Sequence, residues 1–148
     1  MGISVIRHLR NVMARTLKYV ERCTGANHNG DAWIGYAEIS RTGRTVYFNG
    51  KAFVRAPSSV MGNHLDVDNY DEYWISGVKK TGTNRHWAGS GRIQIESTAV
   101  SEYLRLAGLS KIDPSKFEVI DPLPKADPED FREYFNRSWA DAEPDDAV

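Results

Sequence analysis

Apolar residues recur at spacings of three and four along the first twenty positions: Ile3, Ile6, Leu9, Val12, Met13, Leu17 and Val20. At 3.6 residues per turn these share one face, so the pattern predicts an amphipathic helix over residues 1–24. Gly25 and Gly30, with Asn27, His28 and Asn29 between them, end it. The pattern then shortens. Trp33–Ser40, Thr45–Phe48 and Lys51–Arg55 are rich in β-branched and aromatic residues and predict three strands. Arg41–Arg44 and Asn49–Gly50 are the turns between them. Ala56–Asp71 reads as loop, Tyr73–Val78 as a fourth strand, and Arg92–Glu96 as a fifth with period-two alternation.

Ser97 or Thr98 is expected to cap a helix carrying Val100, Tyr103, Leu104 and Leu106, closed by Gly108. Beyond it, Phe117–Ile120 fits a short strand, and Glu129–Trp139 fits an amphipathic helix through Phe131, Tyr134, Phe135 and Trp139. Asp141–Val148 has the composition of a disordered end. The fold class is α+β: an N-terminal helix, a strongly curved antiparallel sheet or small SH3-like barrel of about five strands, a closing helix and an acidic tail. Residues 31–110 form the expected β-rich core domain and residues 111–148 the tail.

Length fits one domain with a tail or two very small domains. A chain of 148 residues with 41% hydrophobic content is long enough to bury roughly 68–70% of its unfolded surface. A single cysteine, Cys23, excludes an internal disulfide and a cysteine-rich metal framework, and it suits a reducing, cytoplasmic compartment. No run of 18 apolar residues predicts a membrane span. The basic bias of Met1–Arg22 has some likeness to an organelle transit peptide, but its few serines favour a plain basic helix.

Net charge is −1, yet residues 1–95 hold 13 Lys/Arg against 7 Asp/Glu, while residues 113–148 hold 4 against 11. A basic body with an acidic tail points to a polyanionic ligand for the body or a basic partner for the tail. The densest cationic and aromatic stretch is the loop from Lys79 to Arg92. Lys79, Lys80, Arg85 and Arg92 are suited to phosphate, and His86 and Trp87 to stacking on an unpaired base. Arg41 and Arg44, in the first hairpin turn, extend the same candidate surface. The favoured reading is a non-catalytic nucleic-acid-binding or regulatory module that contacts RNA or DNA.

Two other readings compete. A protein-interaction module, as in a bacterial defence or toxin–antitoxin-type complex, would use the N-terminal helix or the tail. A metal-dependent nuclease would use His64, Asp66, Asp68 and His86, near Asp71 and Glu72. Asp66 and Asp68 are too commonly spaced to diagnose a metal, and Tyr70 and Asp71 break an EF-hand pattern. Ser76 and Ser90 lack a nucleophile-elbow context, and no phosphate-loop or dinucleotide fingerprint surrounds Gly89-Ser90-Gly91. No catalytic residue, metal ligand or cofactor is therefore assigned. The acidic tail is a candidate mask for the basic surface.

Two segments resemble motifs shared by a group of small uncharacterised bacterial proteins. The first is Gly35–Gly50, reading GYAEISRTGRTVYFNG. The second is Tyr73–Lys80, YWISGVKK, followed by Asn84-Arg85-His86-Trp87 and Gly89. The resemblance covers roughly residues 33–104, carries no activity with it, and implies a bacterial-type cytoplasmic protein. Members sometimes carry a label of deoxyxylulose-phosphate synthase. That enzyme is several times longer and needs a thiamine-diphosphate site, of which this chain has no motif.

Overall fold

The structure, a computed structural model, describes residues 12–23, 30–57, 59, 61–85 and 91–137. Six strands follow one another around a closed antiparallel barrel: β1 (Val12–Arg22), β2 (Ala32–Ser40), β3 (Thr45–Phe48), β4 (Lys51–Arg55), β5 (His64–Asp66) and β6 (Glu72–Gly77). Each pairs with the next, and β6 returns to β1 from Tyr73↔Arg22 to Gly77↔Lys18. Closure leaves no free edge between the first and last strands of the ring. The barrel is consistent with the expected SH3-like class. The β3–β4 turn forms as predicted: Asn49 and Gly50 adopt φ of 54° and 70°, the left-handed values that a tight hairpin turn demands.

The first strand corrects the helical expectation. Residues 12–22, assigned above to the second half of the N-terminal helix, form β1. The physical reason is that β1 is covered on both faces. Val20 points into the barrel with Ala37, Val46, Phe48, Phe53, Tyr73 and Ile75. Leu17 and Tyr19 point outward and pack with Ile34, Ile93, Ile95 and Tyr103. Leu17 and Val20, three apart, thus mimic one helix face while occupying opposite faces of a strand. Tyr19 and Val20 also favour extended backbone. The rest of the expected helix, residues 1–11, lies outside the described residues.

The outward layer is built by β7 (Ile93–Glu96), a 3₁₀ turn (Ser97–Ala99), α1 (Val100–Ala107) and β8 (Phe117–Ile120). The closing helix is present, but neither Ser97 nor Thr98 caps it through a side chain. β7 is not the antiparallel partner of β6. It lies parallel to β2, pairing Gln94 with Trp33 and Ile95 with Ile34, and β8 lies parallel to β7. The far edge of β2 therefore divides, since its other end, Glu38 and Ile39, pairs with β3.

Glu96 fills this branch point. Its Oε1 accepts from Tyr36 N at 3.0 Å and its Oε2 from Leu123 N at 2.7 Å. The buried carboxylate so satisfies two amides that no strand reaches. Gly35 makes room for it, because a methyl group on Gly35 would overlap Glu96 Oε1. Gly35→Ala is expected to displace the carboxylate and lower stability by about 2 kcal/mol, the scale of losing a charge-assisted hydrogen bond. Urea denaturation checks this, and a loss under 0.5 kcal/mol on that same scale would show that the junction is not tight.

The C-terminal segment also returns to the body. A 3₁₀ turn (Pro128–Phe131) and α2 (Arg132–Arg137) place Phe131 and Phe135 against Tyr47, Ala52 and Val67, on the outside of β3 and β4. Trp139 and the expected disordered end lie outside the described residues.

Candidate functional site

β6 and β7 both run parallel to β2, so the chain leaving β6 must travel back along the barrel before β7 begins. That requirement explains the length of the Lys79–Arg92 segment, which is a crossover and not a hairpin loop. Val78 anchors its start in the outer core, beside the half-buried Trp74. Buried Asn84 folds it into a turn by accepting from Lys79 N at 2.7 Å, and its side chain also bonds the Tyr103 hydroxyl.

A second wall stands opposite. α1 ends at Gly108, and the chain turns through Leu109–Lys116 to reach β8. Asp113 shapes this turn, its Oδ1 accepting from Ser115 N at 2.9 Å and Ser115 Oγ at 2.7 Å. These bonds and the nearby lysines hold its carboxyl below the usual carboxylate range. Between the walls lies a cleft of about 760 Å³. Lys79 and Lys80 line it from the crossover, and Lys111 and Lys116 from the other wall. All four are exposed. Ile93, Tyr103, Ala107 and Phe117 form its apolar floor, with Leu109 and Ile112 beside them.

Arg85 also lines the cleft, but its guanidinium is bound to the protein. Nη1 donates to Gly30 O at 2.8 Å, and Nη2 and Nε donate to Gly91 O at 3.1 and 3.3 Å. Nη1 also lies 3.8 Å from Oε1 of the fully buried Glu21, and the Arg85 side chain is only 8% exposed. Glu21 in turn accepts from the Tyr19 hydroxyl, whose pKa rises through burial and this bond. Arg85 is therefore a staple between β1, Gly30 and the end of the crossover.

The other expected contacts are dispersed. Arg92 donates to Pro114 O at 3.2 Å and pairs with Glu118 at 3.7 Å. Arg41 and Arg44 are exposed in the β2–β3 turn and do not line the cleft. His86 and Trp87 lie outside the described residues. Lys111 and Lys116 were missed by sequence reasoning, because they sit where the net charge turns acidic. Only their spatial approach to Lys79 and Lys80 makes them informative. Within the expected acidic tail, Ala126, Phe131, Tyr134 and Phe135 pack with the Tyr47 and Ala52 cluster, Lys111, Asp113 and Lys116 line the cleft, and residues 138–148, the rest of the expected mask, lie outside the described residues.

The acidic segment near β5 is committed locally. Asp66 binds Lys51 Nζ at 3.1 Å and Asp68 N at 2.9 Å. Asp71 pairs with Arg22 at 2.9 Å, and Glu72 accepts from Met61 N and Gly62 N at 2.9 and 3.2 Å. Among the described residues no group of three or more His, Cys, Asp and Glu could hold a metal ion. Cys23 is fully buried at the end of β1, where desolvation, then the Glu21 and Glu72 charges, push its thiol up to about 12. It is protonated and shielded, so it offers no nucleophile.

No helix among the described residues is long and apolar enough to cross a membrane. No protein-family model, curated protein or solved structure matches the chain.

Proposed function

We propose that this chain is a non-catalytic nucleic-acid-binding module whose contact surface is the lysine-lined cleft. The observation that carries the reading is the approach of Lys79 and Lys80 to Lys111 and Lys116 around one apolar-floored cavity. Two cationic segments from distant parts of the chain face the same space, and among the described lining residues Asp113 is the one acid. Phosphate neutralised by such lysines releases counterions, so binding weakens as salt rises. Lysine suits this work as a point charge with no demand for bidentate geometry. Arg41 and Arg44 add charge only for a strand long enough to reach the β2–β3 turn. The reading also places the protein in the cytoplasm, where RNA and DNA are available and the thiol stays reduced.

The test is a salt titration of binding to fluorescent oligonucleotides. Each single-strand phosphate contact contributes a slope of about −0.7 in log K against log salt, so four engaged lysines give roughly −3. Lys111→Ala/Lys116→Ala is expected to lower the slope by about 1.4, and Lys79→Ala/Lys80→Ala by the same amount. These side chains are exposed, so the fold is retained. Affinity that is absent, or indifferent to both salt and the four lysines, removes the reading.

A further inference from the structure

We infer that the cleft encloses one unpaired nucleotide unit at a time, with its base on the apolar wall and its flanking phosphates between the two lysine pairs. This rests on the nucleic-acid reading and names the form of ligand. Three observations carry it. The first is size: about 760 Å³ is the volume of a pocket for a single nucleotide-sized group. A duplex, far wider than such a space, meets only the rim.

The second is the arrangement of chemistry. A surface that only tracks phosphates needs no apolar face, yet the half-buried Ala107 and Ile112 line this one beneath its charged rim, over the core residues Ile93, Tyr103 and Phe117. The third is Leu109, which lines the cleft and is 51% exposed. It follows Gly108 at the α1 terminus, where its backbone N–H bonds Leu104 O at 2.9 Å and so sets its position. An exposed leucine beside Lys111 has an apolar partner once a base lies against it. Tyr103 and Phe117 are not stacking platforms, because their rings pack on each other at 5.3 Å and are nearly buried. The apolar area open to a base is that of Leu109 with the half-buried Ala107 and Ile112, which carries no hydrogen-bonding edge and predicts little sequence preference.

The experiment compares a single-stranded oligonucleotide, its duplex and the same strand carrying consecutive abasic units, with wild-type protein and Leu109→Ser. The expected result is at least 10-fold tighter binding of the intact single strand than of the duplex. Abasic units are expected to weaken binding several-fold without changing the salt slope. Leu109→Ser is expected to do the same for the intact strand and nothing for the abasic one. The lysine variants, by contrast, change the slope. Equal binding of strand, duplex and abasic strand, with a salt slope near −3, overturns the enclosed-base inference and leaves the nucleic-acid reading standing. Absence of binding to all three overturns both.

Discussion

Arg85→Ala is expected to cost about 3–5 kcal/mol of folding stability, the range for removing one partner of a buried ion pair. The loss comes mainly from what remains. Glu21 is fully buried on β1, facing the outer layer, and Arg85 is its cationic neighbour at 3.8 Å. Without the guanidinium, Glu21 keeps the Tyr19 hydroxyl but loses the Arg85 charge. Gly30 O and Gly91 O lose donors at the same time. Arg85→Lys restores charge without the planar fork that spans both carbonyls, and it is expected to recover only part of the loss. Glu21→Gln in the Arg85→Ala background removes the buried charge that faced Arg85 and should return stability toward wild type. Equilibrium urea unfolding of the three variants measures these differences. A loss below about 1 kcal/mol in Arg85→Ala would contradict a staple built on a buried pair.

Acidification through the window from pH 6.5 to about pH 4 is expected to remove about 3 kcal/mol through His64 alone. Burial is the main cause of its lowered pKa, with the charges of Arg55 and Lys18 adding to it. Arg55 pairs with His64 across β4–β5, and Tyr73 is its neighbour on β6. The nearest acid on its own strand, Asp66, is already bound to Lys51. Asn63 also fixes the tautomer. Its Oδ1 accepts from Ile75 N at 2.8 Å, while its Nδ2 donates to Ile75 O at 2.9 Å. Oδ1 is thus an acceptor, and His64 Nδ1, 2.8 Å away, is the protonated nitrogen that donates to it.

The sign follows from proton counting. The unfolded chain takes up a proton at His64 near pH 6.5, while the folded chain refuses it until about pH 4. The contribution is therefore whole above pH 6.5, falls as pH drops through the window, and levels off below about pH 4. Other groups titrate there too, so the comparison is with His64→Gln, whose stability curve should lack this component. The His64 ring protons in NMR provide a direct check: a midpoint near 6.5 in the folded protein would contradict the burial argument.

Much of the sheet was legible because most of its strands obey a local rule. β2, β3, β4, β6 and β7 carry β-branched and aromatic residues between recognisable turns, and each was placed within a few residues of its observed limits. β1 was not, because periodicity assumes that one face is wet. Leu17, Tyr19 and Val20 are buried on opposing faces, which erases the alternation that marks a strand. β5 was missed because its three residues, His64–Asp66, sit inside a turn-rich stretch. The pairing of β7 with β2 depends on a partner 61 positions away, Gln94 to Trp33, which no local pattern encodes.

The candidate site was legible in part for the same reason. Lys79 and Lys80 stood out through local charge density, and both line the cleft. Arg85 looked equivalent to them in sequence, and only its buried partners distinguish a structural cation from an available one. Lys111 and Lys116 had the opposite fate, hidden by the acids that follow them.

The late arrival of β7 has a consequence for synthesis. The barrel ring is complete once Gly77 has emerged, but Leu17, Tyr19 and Ile34 gain their cover only when residues 93–107 follow. At roughly 5–20 residues per second, that interval lasts a few seconds. The nascent barrel spends it with an apolar flank open to the crowded space outside the ribosome. Chaperone capture or truncation aggregates should therefore peak for chains ending between the ring and α1, and vanish once the helix is out.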